Sequence, residues 1–256
     1  MPARPCAARW LTLAAALGLS ACAGAGPEAS FAERDPYEDV NRDIHEFNLV
    51  LDRNVLRPVS QGYETVTPTL FQHLLRNAFN HLDTVNDFAN YTLQGEAEPA
   101  LTALGRFTLN TVLGAAGLLD PATEFGLPKE DTDFGVTLGK HGVGEGAFLM
   151  LPFFGPSTTR DLAGQAGDFA LSPETYINPA FNSDVLNFVS PGYNLVGILD
   201  ERARNADLID DVLYNSDDSY ITLRTIYLQR RDAKIFGKEA ATEALPDIFD
   251  EEAPSQ

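Results

Sequence analysis

The chain is patterned for helices. Val40, Ile44, Phe47 and Leu51 recur at the spacing of one helical face. The preceding Asp35-Pro36 has the chemistry of a helix start, Asp as cap and Pro at the first helical position. A second apolar stripe begins after Pro68 with Phe71, Leu74, Leu75, Ala78, Leu82, Val85 and Ala89, and Gly95 stops it. Glu98 to Leu113 reads as a third helix, with Leu101, Leu104, Phe107 and Thr108 expected inward. Further on, Ser157 is placed to cap a helix through Ala170, and a longer pattern covers Ser183 to Leu213, bent at Ser190-Pro191-Gly192. The last helix is predicted from Asp218 to Phe236, closed by Gly237. Between them lies a glycine-rich stretch, Gly105 to Gly155, that cannot be one helix, since each interior glycine costs about 1 kcal/mol against alanine. It should hold turns, close backbone contacts and short strands. The pattern predicts a mainly α single domain with a Gly-rich irregular segment.

Within that segment Ala147-Phe148-Leu149-Met150-Leu151-Pro152-Phe153-Phe154 is the most apolar run. Two readings stand: a buried core, or a surface dipped in lipid. Phe148, Leu149, Met150, Leu151, Phe153 and Phe154 are therefore candidate residues of a membrane or channel rim.

The N-terminus has a separate logic. Arg4 and Arg9 precede an apolar stretch from Trp10 to Leu19, and small residues then lead to Cys22. This is the layout of a secretory signal, too short for a permanent span of about 20 residues. Leu19-Ser20-Ala21-Cys22 resembles the lipobox of bacterial lipoproteins, in which the signal is cut before a cysteine that carries diacylglycerol. The alternative is an ordinary signal peptide with a cysteine nearby. Ala23, where lipoproteins retained in the inner membrane have Asp, resembles an outer-membrane address. Residues 1–21 are thus a signal peptide and 22–34 a flexible tether.

Composition follows from this cut. The chain of 256 residues has 18 Lys+Arg against 37 Asp+Glu and a net charge of -19. Losing Arg4 and Arg9 takes the mature charge to -21. Such a surface repels phosphate backbones, which excludes nucleic acid as the main partner. Cys6 leaves with the signal, so no disulfide can form. In this acidic chain Arg224, Arg230, Arg231, Lys234 and Lys238 form a basic island. It serves either helix-end pairing or contact with phosphates or an acidic partner. Residues 238–256 are acidic and are expected to be a disordered tail.

The search for chemistry finds no catalytic constellation. His45, His73, His81 and His141 have no zinc spacing; His73 and His81 are about 12 Å apart along one helix. There is no nucleophile elbow and no phosphate-binding P-loop. No metal site and no cofactor are expected.

Short blocks then assemble in order. They are Asp35-Pro36-Tyr37-Glu38, Asn41-Arg42, Phe47-Asn48, Leu56-Arg57-Pro58, Leu93-Gln94-Gly95 and Gly105-Arg106-Phe107. Asp133-Phe134-Gly135, Gly142-Val143-Gly144, Gly155-Pro156-Ser157, Arg160-Asp161 and Tyr227-Leu228-Gln229-Arg230-Arg231 continue the series. Over 35–237 the chain resembles the MlaA (VacJ) lipoproteins. The resemblance implies a ring of amphipathic helices around a lipid channel, lipid-anchored in the outer membrane and facing the periplasm. It implies retrograde transport: mislocalised phospholipid leaves the outer leaflet for a periplasmic carrier, MlaC, beside a trimeric porin of the OmpC/OmpF type. No bond of the lipid is broken, and the only covalent lipid is that on Cys22. Arg106 and Arg160 lie in matching blocks and are candidate lipid-headgroup contacts; pairing with local carboxylates is the other reading. Asn41 and Arg42 are candidates for control of the first helix, or for packing. A rival function is a scaffolding lipoprotein that holds a porin or envelope partner without moving lipid.

Trp10 is the single tryptophan and lies in the signal. The purified mature protein should show tyrosine emission alone; a tryptophan band contradicts cleavage before Cys22.

Overall fold

The computed structural model describes residues 33–173 and 195–237. The signal peptide, Cys22, most of the tether, the expected bend at 190–192 and the acidic tail lie outside the described residues. The tether expected over 22–34 does not keep its last residue, because the Arg34 side chain is buried.

Helix α1 is Glu38–Leu51. It runs through a π turn, Asp52–Leu56, into α2, Arg57–Val66. Pro58 explains the widened turn: it lacks an N–H, and its ring displaces the carbonyl four residues back. After Pro68, α3 spans Thr69–Gln94 and ends on Gly95 in the left-handed conformation (φ 76°). Helix α4, Ala97–Val112, follows after two residues and packs along α3. The short α5, Pro121–Glu124, is capped by Asp120, and α6, Phe134–Lys140, by Asp133. Among the described residues no helix is long and apolar enough to cross a membrane.

The apolar run becomes an antiparallel hairpin, β1 Phe148–Leu151 and β2 Gly155–Thr158, with Phe148 opposite Thr158 and Leu151 opposite Gly155. Helix α7, Thr159–Leu171, leaves β2 directly. Its cap is Thr158, whose hydroxyl accepts the Asp161 N–H at 3.1 Å. Ser157, the expected cap, is still part of the strand. Residues 195–204 form α8, followed by α9, Ala206–Asp210, and a second π turn, Asp211–Asn215. The terminal helix α10, Ser219–Phe236, begins at the Asp218 cap as expected. Helices α6 and α7 touch backbone to backbone. A Cβ on Gly164 would lie 2.5 Å from the Gly135 nitrogen, so neither position has room for a side chain.

The fold is mainly α, as the pattern predicts, but on α1, α3 and α4 the most deeply buried positions are largely polar while several large apolar side chains face out. On α1, Asn41 and His45 are buried while Val40 and Phe47 are exposed at 59% and 47%. Of the four residues expected inward, Ile44 packs on the core cluster. On α3 the buried side is His81, Thr84, Asp87, Asn90 and Tyr91, and Phe71 and Leu75 face out. On α4 the buried side is Ala100, Ala103, Arg106 and Asn110; Leu101, Leu104 and Thr108 face out. Among the described residues, buried polar and charged side chains outnumber buried apolar ones. The apolar core is small: Phe148, Met150, Tyr220 and Leu228.

Ion pairs hold the rest. Arg34 reaches Glu145 and, at 2.8 Å, Asp232 of α10. Arg224 binds Asp35 at 2.6 Å and Glu38 at 3.1 Å. Asp35 is therefore no helix cap; it accepts from Arg224, Tyr220 and Asn41, and α1 starts later. Arg231 joins Asp133 and Asp161, and Arg202 joins Asp52 and Asp210 at 2.8 and 2.6 Å.

Removing one member leaves the others charged and buried. Arg34→Ala should cost about 3–5 kcal/mol in denaturant unfolding followed by circular dichroism. Arg53→Ala, which loses only a ring contact with Tyr214, should cost under about 1 kcal/mol.

Candidate lipid cavity

Two cavities flank the charged interior. The larger, about 690 Å³, is walled mostly by carbon. Its size falls in the range of roughly 300–1,000 Å³ usual for ligand sites. Helix α1 and its π turn supply Leu49, Leu51 and Leu56. The hairpin supplies Met150, Phe153 and Phe154, and α8 supplies Ile198. Opposite, Leu208, Ile209 and Val212 fall on one face of α9 and its π turn. Leu223, Ile226 and Arg230 fall at i, i+3 and i+7 on α10.

Polar groups enter this wall at a few points. Asp52 accepts from Arg202 at 2.8 Å and from Tyr214 at 2.6 Å. Burial alone pushes the Asp52 carboxyl up, but those hydrogen bonds win and hold it below the usual carboxylate range. Burial pushes the His45 imidazole down, favouring the neutral form, and its Nε2 lies 2.9 Å from Ser219 Oγ. Arg230 is exposed and makes no ion pair, hydrogen bond or ring contact among the described residues.

The smaller cavity, about 420 Å³, lies between α3 and α4. Asp87, Tyr91, Arg106 and Lys129 are among the residues that line it. Burial pushes the Asp87 carboxyl up to about 7, against the Thr132 N–H it accepts at 3.0 Å and the charge of Lys129.

The candidate residues from sequence separate. Arg106 donates to both Asp120 oxygens at 2.9–3.0 Å, to Thr123 Oγ1 and to the Leu127 carbonyl, so its charge is neutralised within the protein. Arg160 is buried, 3.5 Å from Asp161, with a long bond to the Val143 carbonyl. Neither lines the apolar cavity. Asn41 donates to Asp35 and to the Phe148 carbonyl and accepts the Met150 N–H at 2.8 Å. Asn48, two helical turns on, donates to the Leu151 carbonyl and accepts the Phe153 N–H at 2.9 Å. Together they clamp the hairpin to α1. Arg42 ties Glu38 to the α10 cap Asp218 at 3.0 Å and lies over the Tyr220 ring.

The rim candidates divide by strand alternation. Phe148 and Met150 point inward and are core, at 0% and 2% exposure, so the rim expectation is corrected for them. Met150 touches the cavity from beneath. Leu149 and Leu151 are half-buried. Phe153 and Phe154 stand out at the hairpin tip, 69% and 79% exposed.

The basic island resolves in the same way. Arg224 and Arg231 pair inward, and Lys234 pairs with Asp131 at 2.6 Å. In sequence Arg230 stands out as one member of that island and of the family-like block Tyr227–Arg231. No group of three or more His, Cys, Asp or Glu among the described residues is placed to hold a metal.

The sequence profile of the MlaA lipoprotein family matches residues 33–234. The chain belongs to the MlaA lipoprotein family. It is 33% identical over 233 residues to the intermembrane phospholipid transport system lipoprotein MlaA of Escherichia coli K12, covering 90% of this chain and 89% of that one. The Haemophilus influenzae MlaA is 33% identical over 241 residues, with 92% and 94% covered. A Rickettsia felis protein of uncharacterised role is 33% identical, covering 78% of each chain. A solved structure reported as the structural basis for maintenance of bacterial outer membrane lipid asymmetry superposes with a TM-score of 0.68 at 35% identity. It covers 78% of this chain and 98% of that chain.

The Asp87 proton sets a pH dependence. The folded chain keeps it up to about pH 7, whereas the unfolded chain releases it near pH ~4. The folded state binds more protons across that window, so this group lowers stability as pH rises through it. Asp87→Asn keeps the acceptor for Thr132, so it should raise the unfolding midpoint at pH 8 and leave it unchanged at pH 3.

Proposed function

We propose that this chain removes mislocalised phospholipid from the outer leaflet of the outer membrane and passes it to a periplasmic carrier of the MlaC kind. It acts by binding, with no bond of the lipid broken and no cofactor. A lipid on Cys22 anchors the protein to the outer membrane facing the periplasm, and a trimeric porin of the OmpC/OmpF type is its membrane partner. The apolar cavity is the acyl-chain part of a channel. Its mouth carries Phe153 and Phe154 as the rim that meets the leaflet.

The observation that carries this reading is the apolar cavity inside a protein whose outer faces are apolar and whose interior is ion-paired. An ordinary water-soluble scaffold has no use for that combination. The named relatives belong to an intermembrane phospholipid transport system, which supports the same reading.

Filling the cavity tests it. Ile226→Trp places a large side chain in the void without touching the ion pairs. The wild-type lipoprotein, purified in detergent, should carry phospholipid detectable by mass spectrometry, and the variant should carry a small fraction of that. Cells with the variant as sole copy should accumulate phospholipid in the outer leaflet. A filled cavity with unchanged asymmetry sinks the transport reading and favours a scaffold.

A further inference from the structure

We propose that Arg230 is the anion-binding residue of the apolar cavity and grips the phosphodiester of a lipid whose acyl chains lie along Leu223 and Ile226. This rests on reading the cavity as a lipid site. The shared chemistry is an acyl amphiphile with an anionic headgroup, and the headgroup argued here is a phosphate.

The case is one of charge accounting within the cavity wall. Asp52 and Arg202 neutralise one another, and Arg202 is also held by Asp210. Glu201 is engaged by Arg204 and Asn205. Asp83 has a partner of its own. His45 is held by Ser219, with burial favouring its neutral form. Arg230 alone among the cations of that wall has its guanidinium unspent.

Two further points give that vacancy a direction. The chain is strongly acidic overall, so an anion reaches the cavity only where a local positive charge offsets the general field. A guanidinium presents several N–H donors in one plane, which matches two phosphate oxygens at once. Its place on α10 completes the geometry. Ile226 and Leu223 share its face one and two turns back, so an amphiphile lying along the helix meets carbon first and charge last. The two arginines expected from sequence to meet phosphate, Arg106 and Arg160, lie outside this wall.

The test uses the full-length lipoprotein in nonionic detergent and three probes with matched chains: dioleoyl phosphatidylglycerol, dioleoylglycerol and oleic acid. Arg230→Ala should weaken phosphatidylglycerol binding roughly ten-fold, as for loss of one charged hydrogen-bonding group. It should leave dioleoylglycerol binding unchanged, and Arg230→Lys should restore part of the loss. A matching loss for oleic acid supports an anion contact that accepts carboxylate as well as phosphate. A loss confined to oleic acid overturns the phosphate assignment. Unchanged phosphatidylglycerol binding, or an equal loss for dioleoylglycerol, overturns the role of Arg230. If the wild-type protein binds none of the three, the lipid reading of the cavity itself fails.

Discussion

The buried pairing of arginine with carboxylate is the constraint on which the rest of this structure depends. Helices whose inner faces are Asn, Asp, Arg and His cannot be held by apolar contact alone, and the apolar core here is a small patch beneath the hairpin. Each buried charge is costly to desolvate and acceptable only with well-placed partners. The pairs therefore act as addresses. Arg34 joins residues far apart in sequence, Glu145 and Asp232, and Arg202 joins the first π turn to the end of α9. Apolar faces would slide against one another more freely than these forks can. Such pairing also leaves large apolar side chains such as Val40, Phe47 and Leu101 free to face outward.

The cavity draws on the same elements. Leu56, Val212 and Leu213, from the π turns Asp52–Leu56 and Asp211–Asn215, line it. Asp52 and Arg202, which tie the first turn to α8, also sit in its wall. The element that binds the fold together and the element that shapes the cavity are thus the same.

How far sequence revealed this is clearest on α1. Its period was legible, because helical spacing does not depend on what surrounds the helix. The inward face was not, because the rule that apolar residues turn inward assumes water outside. Val40 and Phe47 break that rule, at 59% and 47% exposed. The caps Asp218, Asp133 and Gly95 rest on local backbone chemistry, and Asp218 and Gly95 were read correctly. Asp35 was misread since its decisive partners, Tyr220 and Arg224, are remote in sequence. Arg106 stood out by residue type, but only three-dimensional placement shows that Asp120 answers it. Arg230 needed the opposite information, namely that no carboxylate among the described residues answers it.

The asparagine clamp has one more consequence, for the edge of the hairpin. A two-stranded sheet ordinarily exposes a row of backbone groups that invites a foreign strand. On β1 that row is already occupied. The Phe148 N–H donates to the Arg34 carbonyl at 2.8 Å, and Asn41 takes the Phe148 carbonyl and the Met150 N–H. Asn48 takes the Leu151 carbonyl and the Phe153 N–H. Two side chains from one helix thus impersonate a third strand. They deny other copies of this chain a template for strand stacking along β1.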